Sequence, residues 1–373
     1  MGLTPLQIAL REQAGGIRPA AVAEYRGAET AVRFSDPQRE FEDLSNSGAV
    51  YDLGFRARIS LKGSDRVRWL NGMVTNNIRD LAVGRGVYAF MLNPQGRILA
   101  DMTVFNMGET LEVETDRIQV EKILATFDHY IIMDDVEVAD ISALWTSLGV
   151  AGPKSRAIVG AAGIEVPELQ PLQTHVAKCH CDCGCVECTV IRSDDAQGES
   201  YEVWLAPNDV YKTWNALIAA GATSVGSEAM EMQRIALGIP LFGVDIRERD
   251  LPQETEQMRA LNFNKGCYVG QEIVERIRSR GSVHRKFSAF VIDGAPGVSA
   301  GDKISSAEKE VGEITSITVL RTHSGEQTVA LGYIRREVGV PGREVLIGGH
   351  KATVAQPPLD SMVDRHAEDA VLN

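Results

Sequence analysis

The sequence predicts an α+β body followed by a β-rich end. Strand-like and helix-like stretches interleave through residues 1–283, short glycine-punctuated β pieces take over from 284 to 358, and 373 residues exceed one ordinary core. Residues 1–50 read as a helical entry segment. The alternation at 57–61 reads as a strand leading into Lys62-Gly63-Ser64, with Ser64 placed to cap a short helix at 65–70. Strands at 86–92 and 97–105 follow, joined by Asn93-Pro94-Gln95-Gly96, where proline second and glycine fourth suit a tight reversal. Pro153 can open a helix at 154–159, and Asn208 can cap another at 209–220 that Gly221 closes. Beyond His284, pieces at 287–292, 311–319, 328–334 and 351–354 suggest a small barrel or a sandwich. The polar, acidic residues 359–373 read as a flexible tail.

Composition narrows the function. Hydrophobic residues make up 44% and charged residues 24%, as in soluble globular proteins. No apolar run approaches the ~20 residues of a membrane span, and the first ten residues lack the basic start and long apolar stretch of a secretory signal. The expectation is a cytoplasmic protein with no membrane partner. A net charge of -13 argues against a nucleic-acid partner, because phosphate neutralisation needs a basic face. Between Lys265 and Lys286, however, six cations stand against only Glu272 and Glu275. Either something anionic docks there, or a solvated helix carries local pairs such as Glu272 with Arg276.

The same stretch holds Lys265-Gly266-Cys267-Tyr268-Val269-Gly270-Gln271-Glu272, a lone thiol between two glycines. If a helix begins just after Gly270, its orphan N–H groups and positive dipole end favour a thiolate at Cys267. Cys267 is then a reactive or ligating sulfur; the alternative is a small buried hydrophobe. In the strand at 97–105, alternation puts Asp101 on the face of Leu99, Thr103 and Phe105, where a carboxylate is either solvated at a sheet rim or turned toward a polar ligand. The other five cysteines, Cys179, Cys181, Cys183, Cys185 and Cys188, lie within ten residues. A turn at 182–184 could fold them around zinc or an iron-sulfur cluster, although the spacing is not the paired arrangement of a zinc finger; the alternative is a loop with adventitious thiols.

The octapeptide resembles the KGCYxGQE hallmark of the YgfZ family of folate-binding iron-sulfur cluster proteins, with every fixed position present: Lys265, Gly266, Cys267, Tyr268, Gly270, Gln271 and Glu272. Residues 234–240 and 251–254 resemble that family's helix end and following loop. The resemblance implies a three-domain ring with two interleaved domains in residues 1–283 and a C-terminal β-barrel at 284–358, the fold of the T-protein of the glycine cleavage system. It implies a tetrahydrofolate-binding accessory factor, not a standalone enzyme, that assembles or repairs iron-sulfur clusters in client proteins, with Cys267 as the working sulfur and Lys265 and nearby arginines stabilising its anion.

The run 88–101 is similar to the T-protein segment that contacts tetrahydrofolate. Tyr88 and Asp101 fall on matching positions, and Glu202 falls on the acid that grips the pterin, whose adjacent N–H donors a carboxylate can accept as a pair. Three departures bear on activity. A glycine-tyrosine-threonine-glycine loop is replaced by residues 192–200, an arginine by Met230, and a second aspartate by Ala100. The alternative function, a folate-dependent aminomethyl- or methyltransferase acting on a small amine with Asp101 as its catalytic carboxylate, is weakened by those departures. A folate-binding scaffold without redox chemistry is the third reading.

Overall fold

The computed structural model describes residues 2–13, 16–181, 184–194, 199–294, 297–322 and 325–359. The chain forms two compact units. One comprises Met1–Leu92, Leu99–Ala229 and Arg259–Val269; the other comprises Asn93–Ile98, Met230–Met258 and the chain from Gly270 onward.

Two sheets build the first unit. A five-stranded sheet runs in the order Arg85–Leu92, Ile98–Asn106, Leu111–Asp116, Arg56–Lys62, Glu137–Asp140. Strand alternation sorts its side chains. Ile59, Leu61, Ala100, Met102, Val104 and Val113 share one face, packed against Trp69, Leu70 and Met73 of the helix Arg66–Met73 and Ile123 and Phe127 of the helix Val120–Tyr130. Burying each large side chain there contributes about 1.5–3 kcal/mol. A six-stranded sheet runs Thr174–Cys181, Gly184–Arg192, Tyr201–Leu205, Thr146–Ala151, Ala49–Asp52, Thr223–Val225. Its Val150, Val190, Tyr201, Val203 and Leu205 pack with Leu6, Ile158 and Trp214 from helices. Ile191 and Trp204 point the other way and cluster with Phe105 of the first sheet. The Phe105 and Trp204 rings meet edge-on at 4.9 Å between centroids. Each sheet therefore gives one face to helices and turns the other toward its counterpart.

The second unit holds a closed barrel of Arg285–Ile292, Gly325–Arg335, Lys309–Thr322, Lys303–Ser306, Glu344–Ile347 and His350–Ala355. Phe290, Ile292, Ile304, Ile314, Ile334 and Val354 fill it. Closure settles the choice between barrel and sandwich, and supplies two short strands, Lys303–Ser306 and Glu344–Ile347, that the sequence reading lacked. The fold is thus α+β with a C-terminal barrel.

Several local expectations need correction. The entry segment is only partly helical: Pro5–Glu12 and Pro37–Asn46, capped by Thr4 and Asp36, flank a hairpin of Ala21–Tyr25 and Ala28–Arg33. Ser64 does not cap the next helix. Asp65 occupies that position, and the Ser64 hydroxyl donates to Asp135 Oδ2 at 2.8 Å. Asn208 lies inside a 3-10 turn, Pro207–Asp209, and the helix follows as Val210–Ala219. The expected tail lies outside the described residues except for Leu359, which is buried and whose N–H donates to the Ala236 carbonyl at 2.6 Å.

Candidate functional site

The face of the five-stranded sheet turned away from its helices is polar. Arg56, Arg58, Glu112, Glu114 and Asp116 come from its two middle strands, and Tyr88 and Asp101 from the hairpin beside them. Arg56 bridges Asp116 at 2.8 Å and Glu114 at 3.1 Å. Burial works against the Arg56 charge, yet Glu114 and Asp116 push its pKa well above the usual value. Burial lowers the Arg58 pKa, opposed by Glu112, Glu114 and Glu202. The Arg58 guanidinium lies between two indoles, 3.4 Å from the Trp204 centroid and 4.8 Å from that of Trp145.

Asp101 on this face has a side-chain partner at each carboxylate oxygen. Tyr88 Oη donates to Oδ2 at 2.7 Å and Gln119 Nε2 to Oδ1 at 2.8 Å, while Gln119 Oε1 accepts the Asp101 N–H at 3.0 Å. Desolvation and the adjacent Asp101 charge push the Tyr88 phenol well above its usual range, so it remains a donor. Arg259 covers the Tyr88 ring at 4.6 Å and pairs with Asp194. On the six-stranded sheet, Glu202 shares the face of Trp204, and the Trp204 indole N–H donates to Glu202 Oε2 at 3.1 Å. Arg56 and Arg58 both feel the Glu202 charge, and Arg56 also acts on Tyr88. Tyr88, Asp101 and Glu202 therefore belong to one electrostatic neighbourhood. Ala100 lies on the opposite, helix-packed face. Sequence reasoning missed Gln119, Arg259, Arg56, Arg58 and Trp204; the charges at 56, 58, 112, 114 and 116, alternating on two adjacent strands, were a signal that could have found part of the set.

Residues 74–76 stitch the cysteine motif to the Tyr88 strand. Lys265 Nζ donates to the carbonyls of Asn71, Val74 and Asn76 at 2.5, 2.6 and 2.6 Å. Asn76 Nδ2 donates to the Tyr88 and Arg259 carbonyls, each at 2.8 Å. Thr75 Oγ1 donates to the Ala260 carbonyl at 2.6 Å and accepts the Phe90 N–H at 2.9 Å. Desolvation, then the Arg79 charge, lowers the Lys265 ammonium to about 7; the three carbonyls oppose this, since only the ammonium has a donor for each. The expected role of Lys265 in stabilising a Cys267 anion is corrected accordingly: all three of its donors are engaged by backbone. Cys267 is exposed, which removes the buried-hydrophobe alternative. Tyr268 is buried, and Gly266 approaches Arg79 so closely that a Cβ would stand 3.0 Å from its guanidinium. Gly270, at φ +82°, precedes the helix Gln271–Arg280 as expected.

Within the basic run, Arg276, Arg278 and Arg285 are paired with acids, so the solvated-helix alternative accounts for part of its charge. Glu272 meets Arg276 at 3.1 Å, Glu275 meets Arg278 at 3.1 Å, and Arg285 holds Asp250 and Glu254. The cysteine cluster also needs correction. The hairpin register pairs Cys179 with Val186, Ala177 with Cys188 and His180 with Cys185. Cys179 and Cys188 consequently enter the helix-packed core while Cys185 faces outward, exposed. The Cys179 thiol donates to the Ala162 carbonyl at 3.3 Å, and burial pushes the Cys188 thiol up to about 11. These three sulfurs do not converge, and among the described residues no three potential ligands form a metal site. The Cys181 side chain and Cys183 lie outside the described residues.

Two sheets turned face to face over a carboxylate-rich site, with a six-stranded barrel at the C-terminal end, define the class. Residues 16–265 match the model of the GCVT N-terminal domain, and the chain belongs to that family. Its fold matches that of the glycine cleavage system aminomethyltransferase T from Bartonella henselae with a TM-score of 0.83, at 20% identity, over 97% of this chain and 99% of that one. Among sequence relatives, the aminomethyltransferase of Rubrobacter xylanophilus is 27% identical over 333 residues, covering 88% of this chain and 87% of the relative. A protein of Arabidopsis thaliana whose name describes a chloroplastic transferase is 27% identical over 321 residues, covering 84% and 72% respectively. No described helix is long and apolar enough to cross a membrane.

Proposed function

We propose that this protein binds tetrahydrofolate on the polar face between its two sheets and serves as a cytoplasmic accessory factor for assembly or repair of iron-sulfur clusters in client enzymes. The observation that carries the reading is the Tyr88–Asp101–Gln119 constellation with Glu202 on the facing sheet. The set suits a reduced pterin: a carboxylate offers about four lone-pair sites, and the adjacent N–H donors of a pterin edge can be accepted by it as a pair. Tetrahydrofolate supplies the reduced pterin and its one-carbon chemistry; the chain orients it, with Glu202 accepting ring N–H groups and Tyr88 and Asp101 at the reacting edge. Cys267, exposed on the loop that Lys265 anchors, is the redox or transient-ligand sulfur. Calorimetric titration with tetrahydrofolate tests the binding step: Glu202→Ala and Asp101→Ala should each weaken it at least tenfold, and unchanged affinity in both would remove the assignment. In cells, Cys267→Ala should lower the activity of cluster-containing enzymes while the protein still accumulates folded.

A second reading, aminomethyl transfer from a small amine to tetrahydrofolate, is favoured by the relatives' names. Met230 and the buried Ala100 weigh against it, because neither places a polar group where the resemblance expects one. Formation of methylene-folate with release of ammonia from an S-aminomethyl thiol, in the presence of tetrahydrofolate, would establish this reading in place of the first.

A further inference from the structure

The barrel carries a second polar site that the folate reading does not use. Tyr333 alternates with Ile334, and Ile334 belongs to the barrel core, so Tyr333 turns outward. It is nevertheless only 3% exposed, covered by the Phe287 ring at 5.4 Å and the Arg285 guanidinium at 4.5 Å. Its hydroxyl is buried with no hydrogen-bond partner among the described residues. An unsatisfied buried donor costs about 1–3 kcal/mol, so such a group calls for a ligand or water. Tyr333 lines an open pocket of about 520 Å³, within the size range of small-molecule sites.

The charges around this pocket are sorted. Glu313 is already matched by three cations: Arg249 at 2.8 Å, Arg247 at 3.1 Å and Lys303 at 3.2 Å. Glu254 is held by Arg285 at 3.1 Å, and Glu310, the third acid on the wall, by Lys303 at 3.2 Å. The wall also carries Arg335 and His284, whose side chains have no partner among the described residues. Acids are thus satisfied, and the groups left over are a guanidinium, an imidazole and a phenol. A cation would find no open carboxylate, whereas an anion with several acceptor oxygens would satisfy all three. Desolvation, then the Asp250 charge, pushes the Tyr333 phenol up, which keeps it a donor.

We propose that this pocket binds the anionic head, phosphate or carboxylate, of a small metabolite, with Arg335 as the charge partner and Tyr333 as the buried hydrogen-bond donor. Equilibrium dialysis of the full chain against inorganic phosphate and, separately, succinate at physiological salt tests it. Saturable binding of one ion per chain is expected for at least one probe; phosphate alone points to a phosphate ester, succinate alone to a carboxylic acid. Arg335→Ala should weaken binding at least fivefold. Tyr333→Phe keeps the ring and removes the hydroxyl. It should leave the ligand-free thermal midpoint unchanged or higher, weaken binding two- to fivefold and shrink the ligand-induced rise in midpoint. Arg343→Ala, elsewhere in the barrel unit, should change binding less than twofold. Failure of both probes to saturate, or affinity untouched by both Arg335→Ala and Tyr333→Phe, overturns the proposal.

Discussion

Tyr88 and Asp101 face one another across a hairpin, the phenol donating to the carboxylate over 2.7 Å. Gln119 takes the other carboxylate oxygen and the Asp101 N–H. The three side chains act as a unit, since each fixes an orientation that the others use, and such units respond non-additively to substitution.

Tyr88→Phe removes a hydrogen bond to a charged acceptor and should cost about 1–3 kcal/mol of stability. Gln119→Ala should cost a similar amount. The double variant should lose less than the sum, because either change already releases the carboxylate. Denaturant midpoints of the four proteins measure the coupling, and strict additivity would mean that the two contacts are independent.

Trp204 positions Glu202 through its indole N–H, and is itself covered by Arg58. Trp204→Phe preserves an aromatic face for the guanidinium but deletes the donor. Tetrahydrofolate affinity should fall roughly threefold to tenfold, the equivalent of one modest hydrogen bond, with little change in thermal midpoint. Equal affinity in the variant would show that Glu202 needs no such support.

Features governed by neighbouring residues were legible in the sequence. The reversal at Asn93–Gly96 forms, closed by Asn93 N–H to the Arg97 carbonyl at 2.9 Å, and the helix does begin after Gly270. The β-rich end was visible as glycine-spaced strands that left barrel and sandwich open, and the two four-residue strands that close the barrel were too short to stand out. Residues placed by distant partners were not legible. Gln119 ends a 3-10 turn that leads straight into the helix Val120–Tyr130, and its role rests on Asp101, 18 residues earlier, while Arg259 is seated by Asn76, 183 residues earlier. Ser64 was misread because Asp135, 71 residues on, claims its hydroxyl. Lys265 was misread for the same reason: three carbonyls brought in by the fold take its donors. The hairpin at 21–33 lacked the alternation that marks a half-buried strand.

Gly96 and Gly342 should differ in their tolerance of alanine. Both have positive φ, +72° and +85°, which costs a residue with a Cβ about 1–2 kcal/mol. At Gly96 the added Cβ would also stand 2.7 Å from Ile273 Cβ, a contact that cannot persist, whereas at Gly342 it would meet open space. Gly96→Ala should therefore lower the thermal midpoint more than Gly342→Ala. Trimming Ile273 to alanine should not rescue it, since the clashing atom is the Cβ itself. A full rescue would mean that the helix Gln271–Arg280 shifts readily.

The four described thiols should separate into two kinetic classes. Cys267 and Cys185 are exposed, whereas Cys179 and Cys188 lie in the helix-packed core. Alkylation followed by peptide mass mapping at pH 8 should mark Cys267 and Cys185 within minutes and spare Cys179 and Cys188 until the chain unfolds. The Cys188 thiol, raised by burial from 9.0 to about 11, also ties stability to pH. Below pH 9 both folded and unfolded chains hold its proton and the contribution is constant. Between pH 9 and 11 the unfolded chain releases that proton while the folded chain retains it, so stability falls as pH rises. Cys188→Val keeps the apolar volume and removes the titration. The thermal midpoint of the variant should decline less steeply than that of the parent across this window and run parallel to it from pH 7 to 8.5. Parallel curves up to pH 11 would mean that the Cys188 sulfur ionises as easily in the folded chain as in the unfolded one, and would overturn the prediction.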